Sequence, residues 1–266
     1  MRRIDPRIYQ ISILTSLLIF GIARLEFEVT PIRAVLVLFA SILTQWLCSW
    51  LWQLPFEWKS SLISGLSMCL LLRTESPLLH MLAATLAVSS KFMLRARGKH
   101  IFNPTNIAIV ALLLATDRVW ISPGQWGSQA FFAFLMACAG GLVVNRAVRS
   151  DVTYAFILSY FLLVFGRAVW LGDPLQIPMH KFQSGALLLF AFFMISDPKT
   201  TPDTRWGRIA FALVVATSGW YLQWKYWMPE GLLYSLAFFS LLVPVMDLVS
   251  RGKRYEWRGE ALAASS

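Results

Sequence analysis

Charged side chains are scarce in this 266-residue sequence. Asp, Glu, Lys and Arg together make up 14% of the residues, whereas hydrophobic residues make up 57%. Typical soluble domains carry about 25% charged residues, so this scarcity excludes an ordinary soluble domain. The composition is typical of an all-α protein with many membrane-spanning segments, and we expect the lipid bilayer to be its main surroundings.

Cysteine and histidine are also rare, with three residues of each type. The cysteines Cys48, Cys69 and Cys138 lie singly within apolar stretches, without a Cys-x-x-Cys or Cys/His spacing. This pattern excludes the usual zinc and iron–sulfur motifs, and we predict no metal site.

Apolar segments, in contrast, fill most of the chain. A spanning helix needs about 20 mainly apolar residues, and we predict ten segments, of which the third and eighth are short or broken. They are 8–25, 31–54, 60–72, 77–94, 103–118, 124–147, 151–171, 182–196, 205–224 and 230–248.

The distribution of the 24 Lys and Arg residues orients these segments. If the N-terminus is cytoplasmic and all ten segments cross, 17 of the 24 lie on the cytoplasmic side. The positive-inside rule therefore predicts an integral protein of the cell inner (plasma) membrane with both termini in the cytoplasm. Residues 251–266 form a basic cytoplasmic tail, and we expect Asp247 either to pair with it or to act as an acid within the membrane. Because no separate basic domain is present, nucleic acid is not predicted as a partner.

The third and eighth segments share a pattern. Each contains an early Ser-Gly pair, Ser64-Gly65 and Ser184-Gly185, and is followed by a polar turn closed by proline, Pro77 or Pro198. A helix of about 13 residues covers about 20 Å of an apolar core about 30 Å thick. Paired short segments in two halves are typical of inverted repeats around a binding site. Slightly longer ordinary helices are the alternative.

Five segments in each half give the two halves opposite orientations. We therefore predict a single membrane domain over residues 1–250, with repeat one at about 8–118 and repeat two at about 124–248. No linker rich in Gly, Ser or Pro divides it.

Two polar clusters are expected to meet on the cytoplasmic side. One begins segment five and the other follows segment eight, and together they offer amides, hydroxyls and a carboxylate that suit a polar ring system or an anion. With the Ser-Gly pair of segment eight, the predicted cofactor-binding residues are Asn103, Pro104, Thr105, Asn106, Ser184, Gly185, Asp197, Pro198, Thr200 and Thr201. The alternative is helix capping, with Asn103 as N-cap and Pro104 in the first turn. Capping does not account for Asn106, Thr200 or Thr201.

These motifs resemble one family. His100-Ile-Phe-Asn-Pro-Thr-Asn106, Asp197-Pro-Lys-Thr200, Gly207-Arg208 and Val243-Pro-Val-Met-Asp247 are similar to motifs of the D subunit of the Rnf electron-transport complex. They are similar also to the B subunit of the sodium-translocating NADH:quinone oxidoreductase, and the resemblance extends nearly end to end.

The resemblance implies ten membrane helices in two inverted five-helix repeats, similar to urea transporters. It also implies electron transfer through flavin and quinone, with other redox or membrane-complex subunits as partners. In that family the Phe-Asn-Pro region lies near a flavin on the cytoplasmic side, which would place Asn103 beside it.

The chain departs from the family at the covalent flavin. Family members carry FMN esterified to a Thr, in a motif close to Asp-x-x-Ser-x-Ala-Thr, within a long insertion between segments five and six. Here that connection spans only about residues 117–124 and contains no Thr. We therefore expect a non-covalent flavin, FMN or riboflavin, and the chain looks like the short homologues encoded beside enediyne biosynthesis.

The leading hypothesis is a membrane electron-transfer subunit with a flavin or quinone site, rather than a stand-alone enzyme. A small-solute channel or exporter is the second hypothesis, because inverted repeats with broken helices are typical of transporters. A cofactor-free scaffold that docks other subunits is the third.

Overall fold

Helices dominate the computed structural model, which describes residues 5–24, 27–122, 140–141, 144–145, 149–250, 252 and 255. The elements of the first half are α1 (Pro6–Arg24), α2 (Pro31–Leu51), α3 (Trp58–Leu71), β1 (Leu72–Thr74), α4 (Pro77–Met93), β2 (Arg95–Ala96), β3 (Lys99–His100), α5 (Pro104–Ala115) and β4 (Val119–Ile121). Those of the second half are α6 (Ser150–Leu171), α7 (Gln176–Phe182), α8 (Gly185–Leu189), a π-helical turn (Phe190–Met194), α9 (Arg205–Lys225), α10 (Gly231–Ser240) and α11 (Val243–Val249). The predicted sixth segment, 124–147, and the predicted tail lie almost entirely outside the described residues.

Short capping motifs set where several helices begin. Three helices, α2, α4 and α5, start with proline at the first helical position, after Thr30, Ser76 and Asn103 respectively. Each capping side chain accepts a hydrogen bond from a backbone N–H two residues beyond the proline. Proline suits the first turn because the N–H it lacks would have no helical partner there. The starting points of these helices are therefore encoded locally.

Three of the described helices, α1, α2 and α6, are long and apolar enough to cross a membrane, and the bent pair of α10 and α11 makes up to four. Helix α2 shows the expected two-sided pattern. Its outer face exposes Ile32, Val35, Phe39 and Trp50, whereas Gln45 lies on the buried face. Helical periodicity with apolar residues outward suits a lipid surface.

Segments three and eight are short, as predicted, segment five is also short, and segment ten is bent. Helix α5 ends at Ala115, and from Val119 the chain forms β4, which pairs antiparallel with β1. The predicted tenth segment bends by 45° between α10 and α11. Pro244 has no N–H to donate to the carbonyl of Ser240, and this loss interrupts the helix there.

The two halves pack their helices in the same order. In the first half α2 packs on α4, which packs on α5; in the second, α6 packs on α9, which packs on α10. Helices α5 and α10 then contact each other across the halves. One continuous cluster of buried apolar side chains, including Met68, Ile109, Phe156 and Val215, joins both halves.

Candidate functional site

A cavity of about 330 Å³ opens between the two halves. The first half contributes the C-terminal end of α4, the β2–β3 hairpin, the start of α5 and parts of α1 to α3. The second half contributes the π-helical turn and the residues that follow it. Small-molecule sites commonly enclose about 300–1,000 Å³, so the volume suits a compact ring system.

Asn103 links the two predicted polar clusters. Its Oδ1 accepts a hydrogen bond of 3.1 Å from the backbone N–H of Asn106, which is the N-cap bond of α5. Its Nδ2 donates to the carbonyl oxygen of Met194 and to Oδ2 of Asp197, both at 3.4 Å. The capping and site interpretations are therefore compatible, because one amide serves both.

The turn after segment eight is organised by Asp197. Oδ1 of Asp197 accepts a 3.0 Å bond from the N–H of Lys199, and its carbonyl oxygen accepts bonds from the N–H and the hydroxyl of Thr200. Burial raises the pKa of the Asp197 carboxyl, and the nearby positive charges of Lys91, Lys199 and Arg149 only partly oppose this. The carboxyl therefore takes up a proton more readily than an exposed aspartate.

A π-helical turn places this segment in the cavity wall. Ile195 donates its N–H to the carbonyl of Phe190, five residues earlier, at 3.0 Å. Phe192, Phe193 and Met194 line the cavity together with Asp197. Single π-turns are frequent at functional sites because they change the direction of the side chains that follow.

The structure divides the predicted site residues into two groups. Asn103, Pro104, Thr105, Asp197 and Pro198 line the cavity. The remaining five, Asn106, Ser184, Gly185, Thr200 and Thr201, lie outside its lining.

The residues outside the lining have other contacts. Asn106 is fully buried and its Nδ2 donates to the carbonyl of Leu233 in α10 at 3.1 Å, which joins the two halves. Thr201 accepts a 3.2 Å bond from Nε of Arg149. Ser184 and Gly185 stand at the start of α8, at the other end of the short segment.

The β2–β3 hairpin closes one side of the cavity. Arg97 and Gly98 both have positive φ, 55° and 77°, as a two-residue hairpin turn of right-handed twist requires. Nζ of Lys99 contacts Asp203 at 2.9 Å, Asp247 at 2.8 Å and the carbonyl of Thr201 at 2.5 Å. Asp247 is thus paired with Lys99, whereas its predicted pairing with the basic tail concerns residues that lie almost entirely outside the described part of the chain.

Sequence reasoning missed several polar residues in the cavity wall, notably Gln45, Lys91, His100 and Arg7. A polar residue within an apolar segment is itself a signal of function, and Gln45 and Lys91 fit that description. Arg7 is held in an ion pair with Glu57 at 2.6 Å, which fixes the start of α1 beside α3.

Gln45 presents an unsatisfied acceptor. The side chain is 2% exposed, and its Oε1 has no hydrogen-bond partner among the described residues. Its Nε2 donates to Oγ of Ser49 at 3.2 Å, and Ser49 in turn donates to the carbonyl of Pro55. A buried polar atom without a partner in a cavity wall is consistent with a bound ligand that donates a hydrogen bond to it.

The comparison with known sequences decides the family. The sequence profile of the NQR2, RnfD, RnfE family matches residues 116–256, which is more than half of the chain. This chain belongs to the NQR2, RnfD, RnfE family. The match includes Asp197 and Asp247, whereas the motif around Asn103 lies outside it.

Curated relatives of this family member are named as the D subunit of an ion-translocating oxidoreductase complex. Those from Erwinia tasmaniensis and Klebsiella pneumoniae are 30% and 31% identical over 138 and 139 residues, and one from Escherichia coli is 28% identical over 136 residues. Each alignment covers 50% of this chain and 37% of the relative. The chain thus spans well under half the length of the relatives it matches.

Proposed function

We propose that this chain is an electron-transfer subunit that holds a non-covalent flavin (FMN or riboflavin), or a quinone, in the cavity between its halves. The observation that carries the proposal is the contact of Asn103 with Asp197. These residues belong to two motifs of the family resemblance, yet their side chains meet at 3.4 Å in the wall of one cavity.

The family membership supports a place in a larger assembly. The relatives are named as subunits of an ion-translocating oxidoreductase complex, and we infer that this chain also works with other redox or membrane-complex subunits. Because it matches only 37% of each relative, coupling to ion movement does not follow from the match.

The lining suits a flat, polar ring. Phe192, Phe193 and Pro104 supply apolar surfaces, the amide oxygen of Gln45 supplies a hydrogen-bond acceptor, and Asn103 holds the Asp197 carboxyl in the wall. Such a combination of apolar walls with a few placed polar groups is usual for cofactor sites. A flavin supplies reversible electron transfer when bound, and the protein's part is to hold the ring and limit its contact with water.

For the membrane arrangement we infer ten segments in two inverted five-helix repeats, in the inner membrane with both termini cytoplasmic. The recurring packing order supports it, since α2, α4 and α5 correspond to α6, α9 and α10.

The direct test is the visible spectrum of the gently extracted protein, before and after acid precipitation. We expect flavin bands that move to the supernatant, whereas flavin retained in the pellet would show covalent attachment. Asn103→Ala is expected to lower the flavin content, and Ser218→Ala, on α9 outside the cavity lining, is the matched control. A protein free of both flavin and solvent-extractable quinone would contradict the proposal.

A solute channel or exporter is the second candidate, favoured by the 45° bend between α10 and α11 and by the short α5 and α8. Broken helices around a central site are typical of transporters. Flux of small polar solutes through proteoliposomes measures this activity directly. Absence of flux across a panel of such solutes would remove this candidate.

A further inference from the structure

We propose that Lys91 is the positive counter-charge for an anionic group of the ligand in this cavity. The inference rests on the proposed function, because it concerns the same site, and it adds a residue outside the predicted set. It also specifies one chemical property of the ligand, which is negative charge close to the end of α4.

Lys91 is buried in the cavity wall with an incomplete set of partners. The residue is 4% exposed, and its Nζ donates to the carbonyl oxygen of Ser60 at 2.9 Å and to its Oγ at 3.1 Å. A lysine ammonium has three N–H donors, so one donor remains beyond these two bonds. The residue lines the cavity, where a ligand can accept that hydrogen bond.

The charge of Lys91 is not matched by a carboxylate in contact with it. Three of the five other buried cations in the described part of the chain form ion pairs there: Arg7 with Glu57 and Asp5, Lys99 with Asp203 and Asp247, and Arg208 with Asp151. Arg73, which does not line the cavity, donates to the carbonyl oxygens of Cys69 and Leu72. Among the described residues Lys91 forms no such pair. A buried charge without a counter-charge is costly, and an anionic ligand would offset that cost.

The two nearest carboxylates are already engaged. Glu57 accepts the 2.6 Å ion-pair bond of Arg7, while Asp197 accepts bonds from Asn103 and from the backbone of Lys199. Both carboxylates act on Lys91 only at longer range.

Positive charge prevails around Lys91. Arg95, which lies four residues further along the chain, and Lys199 from the second half both line the cavity with Lys91. The positive charges of all three lower the pKa of His100, which is therefore neutral here. The nearby carboxylates are Glu57, which is paired with Arg7, and Asp197. A concave surface with excess positive charge and apolar walls concentrates anions.

Two parts of a flavin can supply the negative charge. FMN carries a phosphate, whereas riboflavin does not, and the ring of either gains negative charge when it is reduced. Comparison of FMN with riboflavin, and of oxidised with reduced riboflavin, separates these sources.

The experiment measures the Kd of five probes for the purified protein stripped of ligand. The probes are FMN, riboflavin, dithionite-reduced riboflavin under anaerobic conditions, a short-chain quinone and inorganic phosphate. The variants are Lys91→Gln, which retains a donor towards Ser60 without the charge, and Lys91→Arg, which retains the charge. The matched control is Lys59→Gln, because Lys59 is paired with Asp5 at 3.0 Å and does not line the cavity.

We expect Lys91→Gln to raise the Kd of FMN or of reduced riboflavin at least tenfold more than that of oxidised riboflavin. The Kd values of Lys91→Arg should stay within threefold of those of the native protein, and those of Lys59→Gln should not change. Equal affinities of the native protein and Lys91→Gln for all probes would overturn the inference. If phosphate binds in a Lys91-dependent way and neither flavin nor a short-chain quinone binds, the proposed function fails and the inference stands. A native protein that binds none of these overturns both. Thermal unfolding of each variant in the absence of ligand shows whether a loss of affinity merely reflects misfolding.

Discussion

At the scale of single residues, Asn103 has two tasks that can be separated by mutation. Its oxygen caps α5 and its nitrogen contacts the second half. Serine keeps the capping oxygen but cannot reach as far, whereas alanine loses both interactions.

We predict that Asn103→Ala lowers the stability of the protein by about 1–2 kcal/mol and that Asn103→Ser recovers about 1 kcal/mol of that loss. Thermal unfolding in detergent measures this difference. The bound flavin is expected to fall in both variants, because neither supplies the amide donor that holds Asp197 in the cavity wall. If Asn103→Ser retained the native flavin content, Asn103 would act only as a helix cap.

His100 should make the protein less stable in mild acid. Burial, with the positive charges of Arg95, Lys91 and Lys199, lowers the pKa of His100 from 6.5 to about 3. The folded state therefore binds fewer protons than the unfolded state between about pH 6.5 and pH 3, and stability falls as the pH decreases through this window.

Between pH 7 and pH 5 we predict that the native protein loses up to about 2 kcal/mol more stability than His100→Asn does. The measurement is the unfolding midpoint against pH, with His180→Asn on the exposed surface as control. The raised pKa of Asp197 acts in the opposite direction, since stability from that group falls as the pH rises from about 3.8. Identical pH profiles for the native protein and His100→Asn would contradict the prediction.

At the scale of elements, the side chain of Lys99 holds the β2–β3 hairpin in place through two ion pairs. Lys99 contacts Asp203, which precedes α9, and Asp247 in α11, and all three side chains are largely buried. The hairpin carries His100 and precedes α5, so this cluster positions one wall of the cavity.

We predict that Lys99→Met destabilises the protein by about 3–5 kcal/mol, because it leaves two buried carboxylates without their cation. The change is read from thermal unfolding, and Asp247→Asn in addition should restore part of the loss. Lys59→Met, which removes a more exposed pair, is expected to cost about 0–1 kcal/mol. Equal losses of stability in the two lysine variants would show that the buried ion pairs of Lys99 stabilise the fold no more than the more exposed pair of Lys59.

The elements also show what the sequence could and could not predict. Helix starts such as Ser76-Pro77 and Asn103-Pro104 were predictable because capping is local. The bend between α10 and α11 was not predicted, because a membrane helix can accommodate a proline such as Pro244 when neighbouring groups satisfy the freed carbonyl. The partner of Lys99 lies more than 100 residues away in sequence, and no local pattern specifies such a pair.

At the scale of the whole molecule, the prediction of orientation rests on the distribution of Lys and Arg alone. Arg97 at the hairpin tip and Glu75 between β1 and α4 are both exposed. In the proposed arrangement they lie on opposite sides of the membrane.

We predict that, in a background without Cys48, Cys69 and Cys138, Glu75→Cys reacts with an impermeant maleimide in intact cells. Arg97→Cys should react only after the membrane is permeabilised, because its side faces the cytoplasm. Gel-shift labelling measures both. Labelling of Arg97→Cys in intact cells would show that the orientation is the opposite of the one proposed.

The candidate site could be predicted in part for a reason that concerns the whole fold. Asn103 and Asp197 were placed together because the predicted topology put both on one side of the membrane, and in the structure their side chains meet. Asn106 was included because it shares the motif, yet it joins α5 to α10 outside the cavity lining. Gln45 and Lys91 were missed because their importance depends on which face of α2 and α4 turns inward, and this is decided by packing between helices.

The π-helical turn at Phe190–Met194 makes the site sensitive to chain length. Such a turn holds one residue more than an α-helical path between the same ends. Deletion of a single residue there would allow a regular helix between the same ends. Asp197 would keep its place, whereas the side chains within the turn, including Phe192 and Phe193 in the cavity wall, would change direction. A one-residue deletion would therefore change the apolar surfaces of the cavity while leaving its carboxylate where it is.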